Sequence, residues 1–218
     1  MKKLIIVFAG VVLLVQLAHS LPLVKRAAFA RNGDSTEEFD GKQQLGIYVL
    51  GEVAKFAKFC LDKGSVVVNN AVKDLKAIPD KDELLLANIT RMSKIGKEAA
   101  DFELQDDEES VIKLLTLMGN FTDMMADYER MPENSKLRQT LQIALENNGS
   151  VKLENEMEDK IVALFKDFDI AFNEYLKTLS PIERLRQLKL IVWYEDFKTE
   201  SQEEKKLEKF GQFFTLLD

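Results

Sequence analysis

Met157, Ile161, Leu164, Phe168, Phe172, Tyr175 and Leu179 follow one another at steps of three and four residues. A helix turns about 100° per residue, so residues at these steps lie on one side of it and form a continuous apolar stripe. The stripe predicts a helix of about 27 residues from near Lys152, about 40 Å long at a rise of 1.5 Å per residue. Such a helix cannot stand alone in water; its stripe must be buried against other helices or a sheet.

The remaining sequence favours helices. Beyond Pro22 the prolines are Pro79, Pro132 and Pro181, and each falls between periodic segments. Proline breaks a helix from within and is tolerated in its first turn, so this placement suits a chain of helices. Only Val66-Val67-Val68 has strong strand propensity, which is too short a run to found a sheet. The expectation is an all-α fold, one domain over residues 42–218, with seven or eight amphipathic helices and no disulfide.

Further helices are marked by their own signals. Leu85, Ile89, Met92, Ala99 and Phe102 define one after Pro79. The acidic run Asp106-Asp107-Glu108-Glu109 leads into another near Ser110, acid being favoured at a helix N-terminus. Residues 135–146 read as a shorter helix stopped by Asn147-Asn148-Gly149. Ser180-Pro181-Ile182-Glu183 has the form of a capping box that opens a helix running to about Lys198. Ser201-Gln202-Glu203-Glu204 repeats it before Leu207, Phe210, Phe214 and Leu217. A helix around Cys60 and a short one near Val66 to Ala77 complete the count.

The N-terminus has the form of an export signal: Met1-Lys2-Lys3, an apolar stretch from Leu4 to Leu17, and Ala18-His19-Ser20 before a cut at Leu21. Residues 1–20 are expected to be removed and the product secreted. Residues 21–41 are expected to be a flexible lead-in, and Lys25-Arg26 within it offers a dibasic cleavage point after Arg26. Loss of Lys2 and Lys3 moves the formal charge from -7 to -9. An acidic chain of this kind is unsuited to nucleic acid or to anionic membrane surfaces, which need a concentrated positive field. No later stretch has the apolar length of a membrane span.

Much chemistry is excluded by residue type. His19 is the sole histidine and falls in the expected signal peptide. The mature chain therefore lacks the imidazole that serine and cysteine hydrolases and most zinc, copper and iron sites require. Gly46 to Gly51 has the glycine spacing of a phosphate loop, but Glu52 stands where the phosphate-binding lysine belongs. The expectation is a protein that is not an enzyme and uses no cofactor or metal.

Cys60 is the only cysteine, and helical spacing places it in line with Val49, Val53 and Phe56, as a packed free thiol. Three sequences are acceptors for N-glycosylation: Asn148 in the expected turn ranks first, Asn120 on a polar helix face second, and Asn88, beside Leu84, Met92 and Ile95, last. The helix after Ser110 carries Met118, Met124, Met125 and Met131 with Leu114, Leu117, Phe121 and Tyr128. Methionine adapts its shape, so Met118, Phe121, Met124, Met125 and Tyr128 are candidates to line a lipid pocket, with core packing as the alternative. Phe213 lies about 60° around the helix from Phe210 and packs in the core or, as the alternative, covers a groove or an oligomer contact.

Two functions remain open on the sequence: a secreted helical glycoprotein carrying a small apolar ligand such as a fatty acid, or a secreted protein with a dry core that binds another extracellular protein.

Overall fold

The computed structural model describes residues 40–105 and 107–217. The expected signal peptide, the Lys25-Arg26 pair and the lead-in as far as residue 39 lie outside the described residues. Among the described residues there are eight α-helices and a closing 3-10 turn, with no strand.

Helix α1, Gly41–Ala77, is 37 residues long. Asp40 starts it with a capping box: its carboxylate accepts from Gln43 N at 2.8 Å, and Gln43 Oε1 accepts from Asp40 N at 3.1 Å. The helix thus begins inside the stretch expected to be flexible. It also runs without interruption through the two segments expected as separate helices around Cys60 and near Val66 to Ala77. Val67 and Val68 are buried, and their packing outweighs the modest helix propensity of β-branched residues.

Helices α2 (Glu83–Ala100), α3 (Glu108–Arg130), α4 (Lys136–Asn147) and α5 (Ser150–Thr178) follow. Asp82, Asp107 and Ser135 cap α2, α3 and α4 by accepting from Leu85 N, Ser110 N and Arg138 N. Asp107 belongs to the acidic run, part of which therefore serves a helix N-terminus. Between α4 and α5 the chain reverses at Gly149, whose φ of 96° is open to glycine at little cost. Helix α1 lies at the centre and touches α2, α3, α4 and α5. Cys60, 2 % exposed, is one of its core residues.

The C-terminal part corrects two expectations. The segment from Pro181 to Lys198 is two helices, α6 (Pro181–Arg186) and α7 (Leu188–Thr199), divided at Gln187, where φ is -96° and ψ 14°. Ser180 and Glu183 do form the expected capping box at the start of α6. The box expected at Ser201 does not form. Helix α8 (Glu203–Phe210) has Gln202 in the capping position without a side-chain bond. Gln202 N donates instead to Glu200 Oε1 at 3.0 Å, so a carboxylate preceding the helix satisfies an amide there.

Helix α7, α8 and the closing turn Phe213–Leu216 dock on α5 through aromatic rings. Phe168 sits at the hub, its ring centroid within 5.2 Å of Phe197, Phe210 and Phe213, 5.9 Å of Trp193 and 6.3 Å of Tyr194. Most of these contacts are edge-to-face, the geometry that ring quadrupoles favour. Phe213 is fully buried in this cluster, as a core residue.

Candidate functional site

The buried stripe of α5 comprises Leu153, Met157, Ile161, Leu164, Phe168, Phe172 and Tyr175. Beside this stripe, from about 60° to about 200° around the helix from Phe168, lies a second, broader face with Glu158, Val162, Phe165, Lys166, Asp169 and Ile170. Helix α7 ends above this face, and the chain then crosses through Glu200 and Ser201 into α8. The space between them is a groove of about 660 Å³. Ile161, Val162, Phe165, Ile170, Phe197 and Leu207 supply its apolar surface. Val162 and Ile170 are 42 % and 62 % exposed, so these aliphatic side chains face solvent across the opening.

One wall is fixed by a polar network. Tyr194 Oη donates to Asp169 Oδ1 at 2.5 Å and accepts from Asn173 Nδ2 at 2.7 Å. Asn173 Nδ2 also donates to the Asp169 backbone carbonyl at 2.7 Å. The Tyr194 ring is fully buried and stacks on Phe172 with centroids 4.0 Å apart. Burial, reinforced by the bond to Asp169, pushes the Tyr194 hydroxyl far above the ordinary tyrosine range. It therefore keeps its proton and remains the donor.

The opposite wall is held by its own links. Lys209 Nζ lies 3.2 Å from Glu200 Oε2 and donates to the Asp196 carbonyl at 2.9 Å. Trp193 Nε1 donates to the Lys209 carbonyl at 3.1 Å. Glu200 is held below the usual carboxylate range, first by the amide of Gln202 and then by Lys209. Lys206 lies over the Phe197 ring and Lys198 over the Tyr194 ring.

The residues that sequence reasoning offered as ligand-lining are elsewhere. Met118, Phe121, Met124 and Tyr128 are buried in the core, Met125 packs at its edge, and none of them lines the groove. Tyr128 Oη is buried and has no hydrogen-bond partner among the described residues, and burial pushes it above the ordinary tyrosine range. The groove residues were missed because the α5 pattern was read as a single stripe. Val162 and Ile170, aliphatics standing off that stripe, were the available signal.

The three glycosylation candidates differ in how their acceptor nitrogen is used. Asn148 Nδ2 donates to Asp74 Oδ2 at 2.6 Å and to the Ala144 carbonyl at 2.8 Å. Asn88 Nδ2 donates to the Leu84 carbonyl at 2.8 Å. Asn88 does not face the core as expected: it is half-buried, next to a Leu84 that is 66 % exposed. Asn120 is exposed, and its side chain forms no hydrogen bond to the described residues. The Cys60 thiol is buried and unpaired, and burial pushes it well above the ordinary thiol range.

Among the described residues no helix is long and apolar enough to cross a membrane, and no cluster of acidic, cysteine or histidine side chains is placed to hold a metal ion. Compared with known proteins, the chain matches no family model, no curated protein and no solved structure.

Proposed function

We propose that this protein is a secreted, non-enzymatic helical glycoprotein that carries a small apolar ligand, a fatty acid or another single-chain lipid, in the groove between α5 and the α7–α8 segment. The observation that carries this reading is the groove itself: about 660 Å³ of space with an apolar lining, and with Val162 and Ile170 left exposed along it. Its size falls in the range of small-molecule sites, which combine apolar walls with a few fixed polar groups. The export-like N-terminus and the lack of histidine beyond residue 19 support secretion and a non-catalytic role.

Mass spectrometry of organic extracts from protein purified without detergent, paired with displacement of the apolar fluorophore N-phenyl-1-naphthylamine, tests the reading. A co-purifying lipid and competitive displacement by dodecyl-chain compounds are expected. An extract without lipid, together with no fluorophore binding, overturns it.

A second reading, protein binding, is favoured by α6. This helix buries none of its residues, and Ile182, Leu185, Leu188 and Val192 along α6 and α7 are 65 %, 73 %, 55 % and 53 % exposed. Exposed aliphatics gathered in one region are a mark of interaction surfaces. Light scattering on the eluted protein and crosslinking in extracellular fluid test it; a strict monomer without crosslinked partners counts against it.

A further inference from the structure

Asp169 is the groove residue whose position is fixed from the buried side. Tyr194 donates to its Oδ1, and Asn173 holds both the Tyr194 hydroxyl and the Asp169 carbonyl. Its second carboxylate oxygen, Oδ2, takes no hydrogen bond from any described residue. A packed network thus ends in a free acceptor on the wall of an apolar groove. If the network served only to satisfy the buried Tyr194, an asparagine at 169 would accept the same bond without placing an anion there.

The charges around the groove are acidic in balance. Glu158, Asp169, Glu200, Glu203 and Glu204 line it against Lys166, Lys198 and Lys206. Two of those lysines are drawn over the rings of Tyr194 and Phe197. A ligand ending in a carboxylate would bring a like charge toward Asp169, whereas a hydroxyl or ammonium would meet an oriented acceptor.

We propose that Asp169 is the polar anchor of the groove and that the carried lipid ends in a hydrogen-bond donor, a hydroxyl or an ammonium group, in preference to a free carboxylate. This rests on the carrier reading and narrows it. The acyl chain lies along Phe165, Ile170, Phe197 and Leu207, with the donor directed at Asp169 Oδ2. Asp169 is a specificity-determining residue here, positioned by Tyr194 and Asn173.

The test is competition for bound N-phenyl-1-naphthylamine by dodecanol, dodecylamine and dodecanoate, which share one chain length and differ only in the headgroup. On the native sequence, dodecanol and dodecylamine are expected to compete at about tenfold lower concentration than dodecanoate, an amount typical of one oriented polar contact. Asp169→Asn keeps an acceptor for Tyr194 and turns a donor amide toward the groove. The variant is expected to lose the preference for dodecylamine and to improve dodecanoate, each read as a competition ratio against the variant's own fluorophore affinity. Equal competition by all three compounds on the native sequence overturns the assignment and leaves the carrier reading intact. Absence of fluorophore binding together with a lipid-free extract overturns both. If Asp169→Asn does not fold, the headgroup ranking on the native sequence decides alone, and Tyr194→Phe, which frees Asp169 Oδ1, is expected to weaken that ranking.

Discussion

Gly64 of α1 faces the ring of Phe121 on α3 so closely that a methyl group placed on Gly64 would come within 2.5 Å of Phe121 Cζ. The glycine is there for close approach of the two helices, at the propensity cost that glycine carries in a helix interior. Gly64→Ala therefore sets a propensity gain of up to about 1 kcal/mol against an overpacking cost of about 1–3 kcal/mol. Net destabilisation of about 1–2 kcal/mol is expected in urea melts. Gly51, in the same helix with nothing within 4 Å of an added methyl, is the control. Gly51→Ala is expected to stabilise by about 0.5–1 kcal/mol. A stabilising Gly64→Ala would show that the α1–α3 contact is looser than described.

Alkaline pH is expected to destabilise the protein. Burial raises the folded-state values of Cys60, Tyr128 and Tyr194, so all three hold their protons more tightly when folded than when unfolded. Their contribution is complete below the unfolded thiol value of about 8.5 and is lost as pH rises beyond it, because the unfolded chain then binds fewer protons. The urea midpoint should fall between pH 8 and pH 10.5, and Cys60→Ala should reduce the slope. In the native protein the thiol should also resist an aromatic disulfide reagent until denaturant is added. A thiol that reacts at once would place Cys60 at the surface.

Tyr128 gives a prediction of opposite sign. Its hydroxyl is buried without a partner among the described residues, a condition that costs about 1–3 kcal/mol in desolvation. Tyr128→Phe removes the hydroxyl and keeps the ring, so the expected outcome is no loss of stability or a gain of about 1 kcal/mol. A loss greater than that in thermal melts would reveal a partner for the hydroxyl.

What could be read from the sequence was whatever repeats within one helix. The α5 stripe, the Ser180–Glu183 box and the burial of Cys60 follow from spacing at three and four residues, and the structure has all three. The groove depends on α7 and α8 docking across α5, so that Phe165 meets Phe197 and Phe210, and Asp169 meets Tyr194. No period links residues so distant in the chain. The methionine face of α3 has the same limit: amphipathic spacing shows that a face is covered, while the choice between core and ligand lies with the neighbouring helices, and here Met118, Phe121, Met124 and Tyr128 are packed in the core. The interruption at Gln187 has neither glycine nor proline to mark it.

Phe168 should be the most costly of these rings to truncate. It is 1 % exposed and touches rings from α7, α8 and the closing turn at once. Phe168→Ala should cost about 3–5 kcal/mol, the usual penalty for a buried phenylalanine. Phe165 is half-buried at the groove, so Phe165→Ala should cost less and act chiefly on ligand binding. Similar stability losses for the two variants would mean that Phe165 is a core residue.

Glycan occupancy follows from the use of each amide nitrogen. An asparagine Nδ2 carries two hydrogens, and attachment of a glycan replaces one of them. Asn148 uses that nitrogen to bond both Asp74 and the Ala144 carbonyl, joining the end of α4 to α1, so a glycan there would cost a bond. Asn120 has no such bond to lose among the described residues. Secreted from eukaryotic cells, the protein is expected to lose mass on enzymatic deglycosylation, and Asn120→Gln should abolish most of that loss. Asn148→Gln should leave the glycan mass unchanged and lower stability by about 1 kcal/mol, the net worth of a typical hydrogen bond. A glycan that disappears with Asn148→Gln and persists with Asn120→Gln would mean that the Asp74 contact yields to modification.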